Sequence, residues 1–184
     1  FGPRLVVSRS VTLLTTVGML LFYFQAAKKW QGAEAGQATL GLALLPILFP
    51  FSIAVYTDAT SMFIVAGALW ALAARRYNLS AVLMFISCFV RQSNLVWMAF
   101  MAVLASWEIW TEWRLARRPA DASWREFVAR ACLPRVIGYG VAAIAFLVFV
   151  LSTTKGLIWG DVPLNRARPN IAQLYTLSFF ILLL

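Results

Sequence analysis

The sequence predicts an all-α protein, a bundle of about seven transmembrane helices, and two observations lead to that prediction. Of the 184 residues, 62% are hydrophobic and 12% are charged, whereas globular domains have roughly 45–50% apolar and 25% charged residues. The apolar residues form long uncharged runs separated by short basic connectors, which is typical of a polytopic membrane protein. Because no internal repeat or low-complexity linker occurs, we predict one transmembrane domain over residues 1–184.

Seven hydrophobic segments are the candidate spans. Several are shorter than the roughly 20 residues that cross a hydrocarbon core of about 30 Å, so we expect them to tilt or to extend into polar flanks. Pro46 and Pro50 are expected to kink the second segment. The segments cover approximately residues 5–27, 37–56, 61–74, 79–90, 94–110, 136–153 and 173–184.

Both ends of the chain suggest a longer protein. The sequence opens on Phe1 rather than Met, and it stops at Leu184 inside an apolar run. We therefore expect the domain to be truncated at both ends.

The net charge of +9 is explained better by membrane topology than by nucleic-acid binding, because the basic residues are spread among connectors and form no single patch. Seven alternating spans place most of them on one side, which the positive-inside rule makes cytoplasmic. The residues on the cytoplasmic side are Lys28, Lys29, Arg75, Arg76, Arg114, Arg117, Arg118, Arg125, Arg130 and Arg135.

Cys88 and Cys132 are far apart, without a CxxC pair or any His, which favours packing thiols over a disulfide or a zinc site.

The basic connector 112–135 has a helical pattern of its own. Ser123 and Glu126 form a capping box, and Trp124, Phe127, Val128 and Ala131 follow at helical spacing. We expect an interfacial helix on the inner leaflet, with a regulatory or partner-binding site as the alternative.

The polar quartet 91–94, Arg-Gln-Ser-Asn, lies between two uncharged apolar runs. An Arg near hydrocarbon costs roughly 2.5–3.5 kcal/mol on insertion scales, so it is a functional-site hypothesis by default. The charge pattern places the quartet in a tight turn on the outer side. Arg91 offers a planar fork to an anion, while Gln92 and Asn94 can both donate and accept hydrogen bonds, a combination suited to phosphate oxygens and sugar hydroxyls.

Further polar residues fall on the same outer side, and each also has a structural interpretation. Arg9, with Arg4 nearby, either binds an anion, snorkels to the interface or pairs with Asp58. Asp58 either caps the next span or acts chemically, and Asp161 follows Gly160 in a common turn dipeptide. The two carboxylates could bind a metal, accept a hydroxyl proton or neutralise an Arg.

Two motifs resemble the dolichyl-phosphate-glucose α-1,2-glucosyltransferases, which add the terminal glucose to the lipid-linked oligosaccharide of N-glycosylation. The first is the Tyr-Thr-Asp turn within residues 49–63, and the second is the segment 89–97, Phe-Val-Arg-Gln-Ser-Asn-Leu-Val-Trp. A weaker match begins at Arg9, where the family usually shows Arg-x-x-Asn. Outside these motifs the likeness is hydropathic.

The resemblance implies a GT-C type transferase in the endoplasmic reticulum membrane, acting on the luminal side with a dolichyl-phosphate sugar donor and a lipid-linked oligosaccharide acceptor. It implies no nucleotide donor, cofactor or obligatory metal. Arg91, with Arg9 assisting, would hold the donor phosphate, and Gln92 and Asn94 would hold sugar hydroxyls. The catalytic base is expected upstream of Phe1.

The last outer loop departs from the family pattern. Gly160, Asp161 and Gln173 fit it, but Asn165 and Asn170 stand where the family has His. Asn still hydrogen-bonds a sugar or a phosphate, although it does not titrate near neutral pH. The pattern is therefore that of a divergent member, with a bacterial inner-membrane enzyme using a polyprenyl-phosphate sugar as the alternative. A transporter or flippase of an anionic lipid-linked solute, or a noncatalytic membrane subunit, is the rival class.

Overall fold

The computed structural model describes residues 3–45, 57–116 and 127–154, and this part of the chain is helical without any strand. The all-α prediction is therefore confirmed for the described residues. The helices are α1 (Pro3–Gln31), a 3₁₀ turn (Gly32–Glu34), α2 (Ala35–Ala43), α3 (Thr57–Ala73), α4 (Tyr77–Val90), α5 (Asn94–Ala116), a π-helical turn (Phe127–Cys132) and α6 (Leu133–Thr154).

Two stretches of the described chain are long and apolar enough to cross a membrane, Val6–Ala43 and Leu133–Ser152. Two shorter apolar helices, Ala59–Ala73 and Tyr77–Val90, accompany them. Six of the seven hydrophobic segments predicted from the sequence coincide at least in part with helices, and the seventh, at 173–184, lies outside the described residues. Pro46 and Pro50 lie outside them as well.

Helix α1 is bounded by residues that suit its two ends. Pro3 occupies its first position, where a missing N–H costs nothing, and Lys28 and Lys29 complement the carbonyl end of the dipole in its last turn. Gly32 then adopts a φ of +62°, a conformation that glycine reaches without a steric cost. The apolar stretch is thereby divided into α1 and α2, which pack against each other.

Helices α1 and α3 run parallel. Gly18 faces the Phe63 ring so closely that a Cβ there would lie 2.5 Å from Phe63 Cε2. One helical turn further along α1, the Phe22 ring lies 5.4 Å from the Phe63 ring and 5.6 Å from the Trp70 ring. Because the contacts advance together along both helices, their amino-terminal ends lie at the same end of the bundle.

The contacts of α4, α5 and α6 show that successive helices from α3 onward alternate in direction. Ser80 Oγ donates to Ala68 O at 2.8 Å, linking the antiparallel helices α4 and α3. Helix α5 runs parallel to α3, with Asn94 bonded to Ser61 at one end and Glu112 paired with Arg75 at the other. Helix α6 runs parallel to α4, since Gly138 approaches Ala81 and, further along, the Phe146 and Phe89 rings meet at 5.4 Å.

The chain divides into two compact units, Phe1–Phe146 and Leu147–Leu184. The first contains α1 to α5 and most of α6. Of the second, the structure describes residues 147–154, which are the last two turns of α6.

The predicted connector begins as helix. Helix α5 continues to Ala116, beyond the apolar segment that ends at 110, because Glu, Arg, Leu and Ala are all strong helix formers. After residues 117–126, which lie outside the described part, the π-helical turn places Phe127 against the Trp110 and Trp113 rings at 4.8 and 5.4 Å. Phe127 is only 2% exposed, so this ring packs on protein. The capping box and the interfacial helix stay predictions.

Candidate functional site

The quartet 91–94 is a turn between α4 and α5, as the sequence predicted. Helix α4 ends at Val90, and Arg91 leaves it with extended backbone, φ −145° and ψ 122°. The Arg91 N–H donates to Ser87 O at 3.0 Å, and the Asn94 N–H donates to Arg91 O at 3.0 Å. The Arg91 side chain is exposed, so the turn presents a guanidinium at the end of the bundle.

Asn94 points inward and joins three helices. Its Nδ2 donates to Ser61 Oγ of α3 at 2.7 Å and to Ser87 O of α4 at 2.9 Å. Asn94, Ser61 and Ser87 are 4%, 3% and 0% exposed. Both N–H groups of the amide are therefore used within the protein, and the turn is fixed against the first turn of α3.

Gln92 carries a buried acceptor without a partner. Its Oε1 has no hydrogen bond among the described residues although it is shielded from water. Burying an unsatisfied amide oxygen costs about 1–3 kcal/mol, and such groups in a native structure often mark a functional position. Gln92 thus has acceptor capacity beside Arg91 that the described part of the chain does not use.

Arg9 and Asp58 lie toward the same end of the bundle as the quartet. Arg9 is an exposed residue in the second turn of α1, and Asp58 is the second residue of α3. Helices α1 and α3 run parallel, and the α4–α5 turn is hydrogen-bonded to Ser61 near the start of α3. The backbone at Arg9, at Asp58 and at the quartet therefore lies at one end of the bundle. Three residues along from Arg9, Thr12 is 5% exposed and donates from Oγ1 to Ser8 O at 3.1 Å.

The other predicted site residues, Asp161, Asn165, Asn170 and Gln173, lie outside the described residues. Within the described part of the chain, no three His, Cys, Asp or Glu side chains are placed to hold a metal ion. The predicted site residues in the described part are therefore Arg9, Asp58, Arg91, Gln92 and Asn94.

Two site residues were missed in the sequence, Ser61 and Ser87. Each is a hydroxyl residue in an otherwise apolar helix, which is a weak signal, since serine in such helices often bonds its own backbone. Ser87 does so, donating to Met84 O at 2.7 Å, and it is its carbonyl oxygen that receives Asn94.

The described residues form a helical bundle with two stretches long and apolar enough to cross a membrane and an arginine-bearing polar turn at one end. This architecture is compatible with a membrane-spanning helical protein. Comparison with known families identifies it further. The model of the DIE2/ALG10 family matches residues 3–184, and the chain belongs to that family. The resemblance seen in the two sequence motifs is therefore confirmed.

Two curated relatives carry the same name, Dol-P-Glc:Glc(2)Man(9)GlcNAc(2)-PP-Dol alpha-1,2-glucosyltransferase. The chain is 32% identical over 200 residues to the protein of Mus musculus, covering 92% of this chain and 42% of the relative. It is 28% identical over 141 residues to that of Candida albicans, covering 74% of this chain and 30% of the relative. The chain thus spans less than half the length of these relatives. No solved structure matches it.

Proposed function

We propose that the natural protein is a glycosyltransferase that moves a hexose, glucose by likeness to its relatives, from a dolichyl- or polyprenyl-phosphate sugar to a lipid-linked oligosaccharide. Two relatives are named for this transfer. The observation that carries the proposal is the turn 91–94, which presents the exposed guanidinium of Arg91 beside the buried Oε1 of Gln92, an amide oxygen without a hydrogen-bond partner among the described residues. A phosphate and a sugar hydroxyl are the complementary groups.

In the proposed reaction the acceptor hydroxyl oxygen attacks the anomeric carbon, the bond from that carbon to the phosphate oxygen breaks, and the lipid phosphate leaves with the electron pair. The hydroxyl proton passes to a carboxylate base. Arg91, assisted by Arg9, binds the phosphate and stabilises the charge that grows on it. Gln92 accepts from a sugar hydroxyl through Oε1 once its side chain has turned from the buried position to the surface of the turn.

The other site residues are assigned only general roles in the proposed reaction. Asp58 is a carboxylate residue at this end of the described part of the chain, Asp161 is proposed as a second one from the sequence alone, and the base itself is proposed to precede Phe1. Asn165, Asn170 and Gln173 would contact the sugar or phosphate by hydrogen bonds, without a metal or other cofactor. We propose that Asn94 contributes to the site chiefly by holding the turn 91–94 in place, because both of its N–H groups already donate to Ser61 and Ser87.

The proposed arrangement is a GT-C-like bundle of about seven spans in the endoplasmic reticulum membrane. The alternating helix directions support it, since α1, α3 and α5 run one way and α4 and α6 the other. The quartet then faces the lumen, and the ends that carry Lys28, Arg75 and Arg114 face the cytoplasm, as the positive-inside rule requires.

A transfer assay tests the function. The natural full-length protein is incubated with labelled dolichyl-phosphate-glucose and a lipid-linked oligosaccharide, and the products are separated by mobility. Label is expected on the oligosaccharide. A transporter would instead move labelled lipid across sealed vesicles without a new product, and that result would reject the proposal.

Sidedness is tested by cysteine labelling. Cys88 and Cys132 are first replaced by Ala, and single cysteines are then introduced as Ser93→Cys and Ala120→Cys. In sealed vesicles oriented with the lumen outside, an impermeant maleimide is expected to label only the Ser93→Cys protein until detergent is added. Labelling of only the Ala120→Cys protein would invert the arrangement.

A further inference from the structure

A second polar site lies at the opposite end of the bundle from the quartet. It is a cavity of about 230 Å³ between the α3–α4 turn and the start of α6. This is smaller than the roughly 300–1,000 Å³ of sites for drug-sized ligands, so it suits a headgroup. Its lining residues are Arg75, Arg76, Tyr77, Asn78, Leu79, Pro134 and Arg135.

The charge of this cavity is positive. Arg75 forms an ion pair with Glu112, and Glu108 accepts a hydrogen bond from Trp30 Nε1. Within the described residues, neither Arg76 nor Arg135 has a carboxylate partner, although Arg76 also lies over the Trp70 ring at 5.9 Å. Among the described residues, the guanidinium groups of Arg76 and Arg135 therefore stand at the cavity wall without an ion-pair partner.

The backbone adds donors to the same wall. The α3–α4 turn is a Schellman motif, in which Arg76 N donates to Ala71 O and Arg75 N donates to Leu72 O. Helix α4 then begins at Tyr77 with no side-chain cap from Arg76. The first N–H groups of α4 lie beside the arginines, where the helix dipole also favours an anion.

Arg75 occupies the position of this motif at which glycine is usual. Its φ is +61°, and a non-glycine residue in that region costs on the order of 1 kcal/mol. The chain thus places a guanidinium at the cavity at the expense of local backbone stability.

Two apolar strips begin at the cavity. On α4, Leu79 lines it, and Val82, Ile86 and Phe89 continue the same helical face; all four are exposed. The strip from 79 to 89 extends about 15 Å, half the thickness of a hydrocarbon core.

The second strip lies on α6. Pro134 lines the cavity, and Ile137, Val141 and Ile144 continue its face with 52%, 60% and 64% exposure. A basic cavity from which apolar strips extend is complementary to an anionic lipid, which has a charged headgroup and hydrocarbon chains. Free phosphate would use only the cavity.

We propose that this cavity binds the headgroup phosphate of an anionic phospholipid, whose acyl chains lie along the exposed faces of α4 and α6. The inference rests on the membrane arrangement proposed above, in which this end is cytoplasmic. Basic pockets between helices on that side are suited to anionic headgroups. Five of the six tryptophans in the described part of the chain lie toward the same end, as expected for a membrane interface, and these are Trp30, Trp70, Trp107, Trp110 and Trp113.

The test measures lipid retention by native mass spectrometry of the natural full-length protein in detergent, with added phosphatidylserine or phosphatidylcholine. One phosphatidylserine is expected to be retained in preference to phosphatidylcholine. The double variant Arg76→Gln/Arg135→Gln is expected to weaken retention by roughly 25-fold, at about a factor of five per charge. Arg114→Gln is the control, since it removes an arginine from the same end that does not line the cavity.

Arg75→Gly supplies a second variant that folds readily, because glycine relieves the positive φ. It is expected to reduce retention with an unchanged or higher melting temperature. Equal retention of both lipids, or equal loss in the Arg114→Gln control, would overturn the proposal. If millimolar inorganic phosphate displaced the retained phosphatidylserine as effectively as further phosphatidylserine does, the cavity would be assigned to free phosphate instead. Because retention is measured in detergent and without turnover, it is independent of both the transfer assay and the sidedness test.

Discussion

Replacing Arg91 by alanine is expected to lower sugar transfer by the natural full-length protein by about 100- to 1,000-fold or more. Removal of one preorganised donor to a developing charge typically has an effect of this order. The backbone should be unaffected, because φ −145° is accessible to any residue and the turn is held by the main-chain bonds of Arg91 and by Asn94. The exposed side chain leaves no cavity when it is truncated.

The measurement is the initial rate of glucose transfer from dolichyl-phosphate-glucose in membranes with equal amounts of protein. Arg91→Lys is the conservative variant, and we expect intermediate activity, because lysine keeps the charge but loses the fork that binds two phosphate oxygens. Ser93→Ala, at the exposed neighbour in the same turn, is the matched control and should retain the activity of the wild type. A normal rate in the Arg91→Ala protein would remove Arg91 from the donor site.

The α4–α5 turn shows which features of this molecule could be predicted from sequence. Four polar residues between two apolar runs leave few local alternatives to a turn, and the turn is confirmed. The outer side that the charge of the connectors assigns to it stays a prediction. Helix α5 shows the opposite case. Hydropathy ended its segment at 110, but the helix reaches Ala116, and in this extension Glu112 pairs with Arg75. Such partners come from distant parts of the chain and leave no mark on local hydropathy.

The orientation of the Asn94 side chain could not be predicted from the sequence, because its partner also comes from a distant part of the chain. In sequence it stands beside Arg91 as another ligand for sugar or phosphate, and only the packing of α3 reveals Ser61, 33 positions away, as its partner. The basic cavity is likewise assembled by tertiary structure. Arg76 and Arg135 were interpreted as separate topology determinants, and the parallel packing of α4 and α6 places them on one cavity.

Replacing Asn94 by alanine is expected to destabilise the bundle by about 1–2 kcal/mol. The variant loses both bonds from Nδ2, and Ser61 Oγ is left buried without this donor. Ser87 O keeps the Arg91 N–H, which limits the loss. Hydrogen bonds between membrane helices average about 0.6 kcal/mol and reach about 1.7 kcal/mol, while an unsatisfied buried group costs about 1–3 kcal/mol.

The measurement is the free energy of unfolding in detergent, with Ser93→Ala expected within about 0.5 kcal/mol of the wild type. A double-mutant cycle with Ser61→Ala separates a structural role from a ligand role. If Asn94 holds the turn through Ser61, the two losses are less than additive by about 0.5 kcal/mol or more. If Asn94 instead contacts the substrate, the stability of Asn94→Ala stays unchanged and its KM for the sugar donor rises. The structural role therefore predicts that the stability of the Asn94→Ala protein falls, and that transfer falls with it because Arg91 is no longer held in place.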